Sequence, residues 1–141
     1  MDPNLVRELQ ISFVPWHVLY NHAPSAKEIR RQAHFKVLIT SPWDIEALLS
    51  HLPLDGMSES QDTSADLRLV IDLKLSSGKQ VSYSASRFYF YAQGFKLRKE
   101  IGPEFRDLFS IDGLPLFHPH QPNQLMHSDG AASGPAGDEP R

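Results

Sequence analysis

The sequence predicts an α+β fold: a single domain with an antiparallel sheet of about five strands, two short helices packed on one face, and a disordered C-terminal tail. Alternating apolar residues between turn residues predict the strands. Two segments with proline at the first helical position predict the helices. A chain of 141 residues with 40% hydrophobic content can form one core. We assign residues 1–111 to the globular domain and the Pro- and Gly-rich residues 112–141 to the tail.

Two strands are predicted before the first helix. Residues 9–20, LQISFVPWHVLY, are apolar on both faces, as in a central strand. A bulge or break is expected near Pro15, because proline donates no ladder hydrogen bond. Apolar residues then occupy alternate positions from 29 to 39, and this period of two predicts a second, half-buried strand.

The first helix is predicted to begin at Pro42, with Ser41 as its N-cap and Asp44 near the positive end of the helix dipole. It should end at about His51. Its inward-facing residues are expected to be Trp43, Ala47, Leu48 and Leu52. Trp43 is placed in the core because so short a helix needs an apolar contact at each end. The alternative for Trp43 is an exposed binding anchor.

The sequence of the rest of the domain predicts a meander and a second helix. Residues 55–65 are polar and predict a mobile surface loop. Alternation over residues 67–75, followed by the tight turn Ser77-Gly78, predicts a hairpin. The segments RFYFY and FKLR predict two more strands, and residues 102–109, GPEFRDLF, predict a short helix.

Residues 86–100, SRFYFYAQGFKLRKE, hold most of the candidate binding residues. In a strand, Phe88 and Phe90 point to one face while Tyr89 and Tyr91 point to the other. We expect the phenylalanine face to be core and the tyrosines to lie at a half-exposed surface. Tyr, Trp and Arg are enriched where proteins bind one another. The candidate binding residues are Arg87, Tyr89, Tyr91, Lys96, Arg98 and Trp43.

The charge distribution weighs against a dedicated nucleic-acid binder. The net charge of the chain is -3, and residues 1–111 carry equal numbers of basic and acidic side chains. Binding to nucleic acid normally requires a basic excess over the domain, because its affinity comes mainly from neutralising phosphates. A local basic and aromatic patch over residues 87–99 keeps nucleic-acid binding as an alternative.

No catalytic, cofactor or metal motif is present in the sequence. The absence of Cys excludes thiol nucleophiles and Cys–zinc sites. The GxSxG, GxxxxGK[ST] and GxGxxG patterns do not occur. The histidine cluster of His118, His120 and His127 falls in the predicted tail, away from a fixed scaffold. We predict a protein that is not an enzyme and has no cofactor and no metal site.

Location and assembly are weakly constrained by the sequence. No apolar run approaches the ~18 to 20 residues of a transmembrane helix. The start, MDPNLVRELQ, lacks the regions of a signal peptide. We expect no membrane contact and a cytoplasmic location, or a periplasmic one where a leader has been removed. Antiparallel edge strands leave a homodimer open as an alternative.

The order of these signals resembles that of small bacterial immunity proteins and inhibitors. The resemblance covers roughly residues 9–110 and lies in FKVLITSPWDIEALLSHL, ADLRLVIDLKLSSGKQVSY, the aromatic strand and the terminal helix. It implies a non-enzymatic domain that binds one protein partner, such as a toxin or an enzyme, often by covering its active site. It assigns no particular residue, and the acidic tail is not part of the pattern.

The leading prediction is therefore a protein-binding module, as an immunity protein or inhibitor. The alternatives are a nucleic-acid binder that uses residues 87–99 and a small-ligand domain with a pocket between helix 42–51 and the sheet. Affinity that falls steeply with salt would indicate the former. A deep cleft lined by converging polar groups would indicate the latter.

Overall fold

An antiparallel sheet forms the centre of the fold. The computed structural model describes residues 2–109 and 124–126 of the chain. The strands are β1 Val6–Phe13, β2 Phe35–Ile39, β3 Ser58–Glu59, β4 Leu67–Leu75, β5 Gln80–Ser86, β6 Tyr89–Ala92, β7 Leu97–Glu100 and β8 Gln124–Met126. The helices are a 3-10 helix Pro3–Leu5, α1 Ala26–Gln32, α2 Pro42–His51 and α3 Pro103–Leu108.

The spatial order of the strands is β3-β7-β6-β5-β4-β1-β2-β8. Every neighbouring pair is antiparallel. Strands β4 to β7 form a meander, and β1 lies between β4 and β2. The predicted α+β class and antiparallel sheet are confirmed. The strand number of about five is wrong, because residues 2–109 alone contain seven strands.

Helices cover both faces of the sheet rather than one. On one face, strand residues such as Leu9, Ile71 and Phe90 form a core with Ile45 of α2 and Phe105 of α3. On the opposite face a second core includes Val14, Ile29, Leu67, Val70 and Tyr91. The two predicted helices thus do share a face, and α1 adds a helix on the other. We call these the α2–α3 face and the α1 face.

Helix α1 lies where the sequence predicted part of a strand. Ser25 Oγ accepts a hydrogen bond from the Glu28 N–H at 3.2 Å, and Glu28 Oε1 accepts one from the Ser25 N–H at 2.9 Å. This capping box starts the helix. Ile29 and Ala33 are both buried, whereas Arg31 between them is exposed. Their spacing of four fits a helix as well as a strand, so the alternation was ambiguous.

Replacement of Ser25 by Ala should lower the free energy of unfolding by about 1 kcal/mol, because it removes the N-cap acceptor of α1. Urea unfolding at neutral pH measures this effect. Ser50→Ala is the matched control: Ser50 Oγ only donates back to the Ala47 carbonyl, and Ala is the better helix former. Equal stability of Ser25→Ala and the parent chain would mean that the cap does not hold α1.

Strand β1 ends at Phe13, well short of the predicted residue 20. Pro15 follows two residues later and has no N–H to extend the ladder. Trp16 then packs edge-on to Phe13, with ring centroids 5.4 Å apart. Its indole N–H donates to the Arg106 carbonyl at 2.9 Å. The Trp16 side chain therefore joins the segment after β1 to α3.

Helix α2 has the predicted bounds but a different buried stripe. Trp43 is 70% exposed and Ala47 is exposed, so the prediction that they face the core is wrong. Asp44 is 1% exposed. The buried residues of α2 are Asp44, Ile45, Leu48 and Leu49. Leu48 and Leu52 are buried as predicted.

The polar segments that were expected to be irregular contain two short strands. Residues 55–65 include β3, which pairs with β7. Within the predicted tail, Gln124–Met126 form β8 beside β2. The remaining residues of the tail, including the cluster of His118, His120 and His127, lie outside the described part of the chain.

Candidate binding site

A pocket of about 250 Å³ lies on the α1 face at the start of β6. Its walls come from Asp62 and residues 64–66, from residues 86–89 and Tyr91, and from Arg98 of β7. We call it the arginine pocket. It brings together four of the six residues predicted from the sequence: Arg87, Tyr89, Tyr91 and Arg98.

Asp62 joins two of these residues. Its Oδ2 accepts a hydrogen bond from the Tyr91 hydroxyl at 2.8 Å and another from Arg98 Nη1 at 3.0 Å. The Tyr91 bond, with help from Arg98, lowers the pKa of the Asp62 carboxyl. Burial, followed by the bond to Asp62, raises the pKa of Tyr91 to about 12. Tyr91 is therefore a neutral donor and Asp62 an anion over the whole physiological range.

Aromatic rings fix the position of the Arg98 side chain. Its guanidinium carbon lies 4.2 Å from the centre of the Tyr89 ring, which is a cation–π contact. Tyr89 in turn lies 6.3 Å from Tyr91, and Tyr91 packs edge-on to Phe95 at 4.9 Å. Tyr91 is buried in this cluster, so the prediction of a half-exposed surface holds for Tyr89 but not for Tyr91.

Asp66 bonds to two arginines. Arg68, whose side chain is 1% exposed, donates Nη1 to Asp66 Oδ1 at 2.6 Å. Arg87 Nη2 reaches Asp66 Oδ2 at the longer distance of 3.3 Å. The Asp66 carboxylate is thus held mainly by Arg68, and it orients Arg87 at the pocket wall.

Arg68 also holds the segment that follows β1. Its Nε and Nη2 donate to the Val18 carbonyl at 3.0 and 2.6 Å, and its Nη1 donates to the Leu67 carbonyl at 2.8 Å. Its guanidinium lies 4.9 Å from the centre of the Tyr20 ring. These contacts satisfy a cation that would otherwise be costly to bury.

Phe88 points away from the core, contrary to the prediction. Ser86 Oγ accepts hydrogen bonds from the N–H groups of Phe88 and Tyr89, at 3.3 and 3.1 Å. This local turn precedes β6 and leaves the Phe88 ring 64% exposed beside the pocket. Arg106 Nη1 donates to the Arg87 carbonyl at 2.7 Å, and the Ile101 N–H donates to the Phe88 carbonyl at 2.9 Å. The backbone that presents the ring is therefore held in place.

The other two predicted residues lie elsewhere. Lys96 is exposed at the turn between β6 and β7 and is outside the lining of the arginine pocket. Trp43 lines a separate shallow pocket of about 290 Å³ with Pro3, Val6 and Glu46. That pocket lies where α2 meets the 3-10 helix, and α2 packs on the opposite face of the sheet.

Three charged residues of the site were not recognised from the sequence: Asp62, Asp66 and Arg68. Asp62 was assigned to a mobile loop, and Arg68 looked like an ordinary outward residue of an alternating strand. Asp62 reaches Tyr91 and Arg98 across 29 and 36 residues of chain. No local pattern reports contacts at such separations.

A second pocket, of about 310 Å³, lies on the same face between α1, residues 63–65 and Phe95. Apolar groups and serine hydroxyls form its walls, and Arg30 lies at its edge. Ile45, Leu48 and Leu49 of α2 pack into the core between α2 and the sheet, where the small-ligand alternative placed a pocket.

Neither a metal centre nor a membrane helix is found in the described residues. No three His, Asp or Glu side chains of residues 2–109 and 124–126 are grouped so that they could hold a metal ion. No helix in that part of the chain has the length and apolar character needed to cross a membrane. The chain matches no protein-family model, and searches of curated proteins and of solved structures found no match.

Proposed function

We propose that this chain is a non-enzymatic protein-binding module that recognises one partner through the arginine pocket and the exposed ring of Phe88. It would act as an immunity protein or inhibitor by covering a surface of that partner. The observation that carries the proposal is Phe88, a large aromatic side chain that is 64% exposed beside two oriented arginines. Aromatic residues and arginines that lie together in this way are typical of binding hot spots.

Preorganisation supports the same surface. Three hydrogen bonds hold the backbone here. The Phe88 N–H donates one, the Phe88 carbonyl accepts one, and the neighbouring Arg87 carbonyl accepts the third. Arg98 is stacked on Tyr89 and bonded to Asp62. Side chains that are already fixed lose less entropy on binding, so more of the contact energy appears as affinity.

Nucleic-acid binding is less well supported. Arg87 and Arg98 are both paired with carboxylates, at 3.3 and 3.0 Å. Lys99 donates to the Asp55 carbonyl at 2.6 Å. A phosphate backbone carries a charge at every nucleotide, and the paired arginines of a single pocket would neutralise few of them, so the gain from counterion release would be small.

Affinity capture with the full chain from lysate of its native source tests the proposal. We expect one stoichiometric protein, identified by mass spectrometry, that is retained at high salt. Phe88→Ser should lower the affinity for that protein at least 30-fold, about 2 kcal/mol, because it removes the exposed ring at the centre of the surface. The stability of this variant should change by no more than about 0.5 kcal/mol, because Phe88 is exposed.

Trp43→Ser is the comparison variant, because Trp43 is an equally exposed aromatic residue on the other face. Retention of the partner by Trp43→Ser and its loss by Phe88→Ser would support the proposed surface. The opposite result would move the interface to α2 and contradict the proposal. Recovery of nucleic acid that is washed off by salt would contradict it in favour of the nucleic-acid alternative.

A further inference from the structure

Resting on the proposed function, we infer that the group the partner places in the arginine pocket is a carboxylate from an acidic segment of the partner protein. An apolar or aromatic group next to that carboxylate would cover the Phe88 ring. The charges, the hydrogen-bond donors and the aromatic wall of the pocket each support this assignment.

The charge balance of the pocket favours one incoming negative charge. Among the described residues, Arg87, Arg98, Asp62 and Asp66 line the pocket, and the buried Arg68, which is not part of the lining, is paired with Asp66. Three guanidinium groups and two carboxylates leave one positive charge in excess. A single carboxylate would neutralise that excess, whereas a doubly charged phosphate would exceed it.

Donors remain available on the two arginines that line the pocket. A guanidinium group has five N–H donors. Within residues 2–109, Arg87 donates one side-chain bond, the long one to Asp66, while Asp66 is already bound closely by Arg68. Within the same residues, Arg98 donates one bond to Asp62. Both guanidinium groups therefore retain N–H pairs of the kind that bind carboxylates in a bidentate manner.

The aromatic residues set the geometry of the acceptor. Because the guanidinium carbon of Arg98 lies over the Tyr89 ring, 4.2 Å from its centre, the ring limits the directions in which the remaining donors of Arg98 can point. A planar carboxylate can align with these donors. Glu100 is in register with Tyr89 on β7, but it is exposed and is not among the described residues that line the pocket.

A matched pair of small probes tests the inference on the full chain. N-Acetyl-L-phenylalanine carries a carboxylate beside an aromatic ring, and its primary amide differs only in that charge. We expect the acid to shift the NMR resonances of the Arg87 and Arg98 side chains saturably, with a dissociation constant on the order of 1 mM for a ligand of this size. The amide should bind at least ~10-fold more weakly, since it offers no charge-assisted acceptor.

Substitutions test whether the acid binds in the arginine pocket. Arg87→Gln should weaken binding of the acid at least ~10-fold with little change in structure, because Asp66 keeps its bond to Arg68. Arg98→Lys keeps the charge and should also weaken binding, because an ammonium group cannot supply the planar pair of donors. Lys27→Gln removes a cation from the exposed surface of α1 and should leave the affinity within about twofold.

Several results would overturn the inference. Equal binding of the acid and the amide would exclude a carboxylate site, as would full affinity in Arg87→Gln. Tighter binding of inorganic phosphate, or salt-sensitive binding of an oligothymidine, would assign the pocket to phosphate instead. In any of these cases, capture of a partner protein by the parent chain and its loss by Phe88→Ser would leave the proposed function intact. Only the assignment of a carboxylate to the pocket would then be overturned.

Discussion

Arg68→Met should lower the free energy of unfolding by about 3 to 5 kcal/mol, the range for removal of one member of a buried charged network. Met keeps much of the side-chain volume, so the loss reports the polar contacts. The Val18 carbonyl would lose two donors and the Leu67 carbonyl one, and Asp66 would lose its closest cation. Unsatisfied buried acceptors each cost about 1 to 3 kcal/mol.

Urea unfolding monitored by circular dichroism measures this effect. Arg68→Lys should recover only part of the loss, because one ammonium group cannot bond Val18, Leu67 and Asp66 together. The control is Arg30→Gln. Arg30 forms a bidentate ion pair with Asp72 at 2.9 Å, but its side chain is 41% exposed, so the cost should stay within about 1 kcal/mol. A loss below about 1 kcal/mol in Arg68→Met would show that other contacts hold the segment after β1.

Tyr91→Phe should reduce the decline in the free energy of unfolding that the domain undergoes at alkaline pH. The pKa of Tyr91 is about 12 in the folded chain because of burial and the bond to Asp62, compared with about 10 for an unperturbed tyrosine. The unfolded chain therefore loses this proton first. The stabilisation is complete below pH 10 and declines by about 1.4 kcal/mol per pH unit as the pH rises towards 12.

At pH 8, Tyr91→Phe should be less stable than the parent by about 1.5 to 3 kcal/mol, the usual value of a hydrogen bond to a charged group. The difference should shrink between pH 10 and 11.5 in urea titrations. Tyr83→Phe is the control. Burial also raises the pKa of Tyr83, but this residue has no bond to Asp62. A constant difference between Tyr91→Phe and the parent from pH 8 to 11.5 would contradict the shifted pKa.

The stability of the domain at low pH depends on the same hydrogen bond. The pKa of Asp62 is lowered chiefly by Tyr91, so its contribution to stability is present above the pKa of an unperturbed aspartate and declines as the pH falls through the lowered value. Tyr91→Phe should weaken this acid dependence, whereas Tyr83→Phe should leave it unchanged. One hydrogen bond thus affects the stability of the domain at both ends of the pH range.

Local signals were sufficient for the β4–β5 hairpin and for the first residues of α2 and α3. The hairpin predicted around Ser77-Gly78 corresponds to β4 and β5, and Pro42 and Pro103 begin the two predicted helices. These features depend on turn chemistry and helix starts, which act over a few residues. Helix α1 was missed because burial of Ile29 and Ala33 is compatible with both helical and strand periods.

The site was only partly predictable for the same physical reason. Arg87, Tyr89 and Arg98 are close in sequence or in adjacent strands, and they do meet in one pocket. Phe88 was misplaced because Ser86 turns the chain just before β6 begins. Asp62 and Asp66 come from a polar segment whose position depends on tertiary contacts with β6 and β7. Composition alone gives no sign of such contacts.

The place of β1 in the sheet has a consequence for the order of folding. Val6–Phe13 is synthesised before β4, yet it pairs with β4, more than fifty residues later. The β4 to β7 meander involves only near neighbours, so its loops are cheap to close. We therefore expect the meander to form before β1 docks on it, and the β4 edge of β1 to remain unpaired during translation until β4 has been synthesised. Mutations in β4–β5 packing should then slow refolding, while mutations in β1 should mainly speed unfolding.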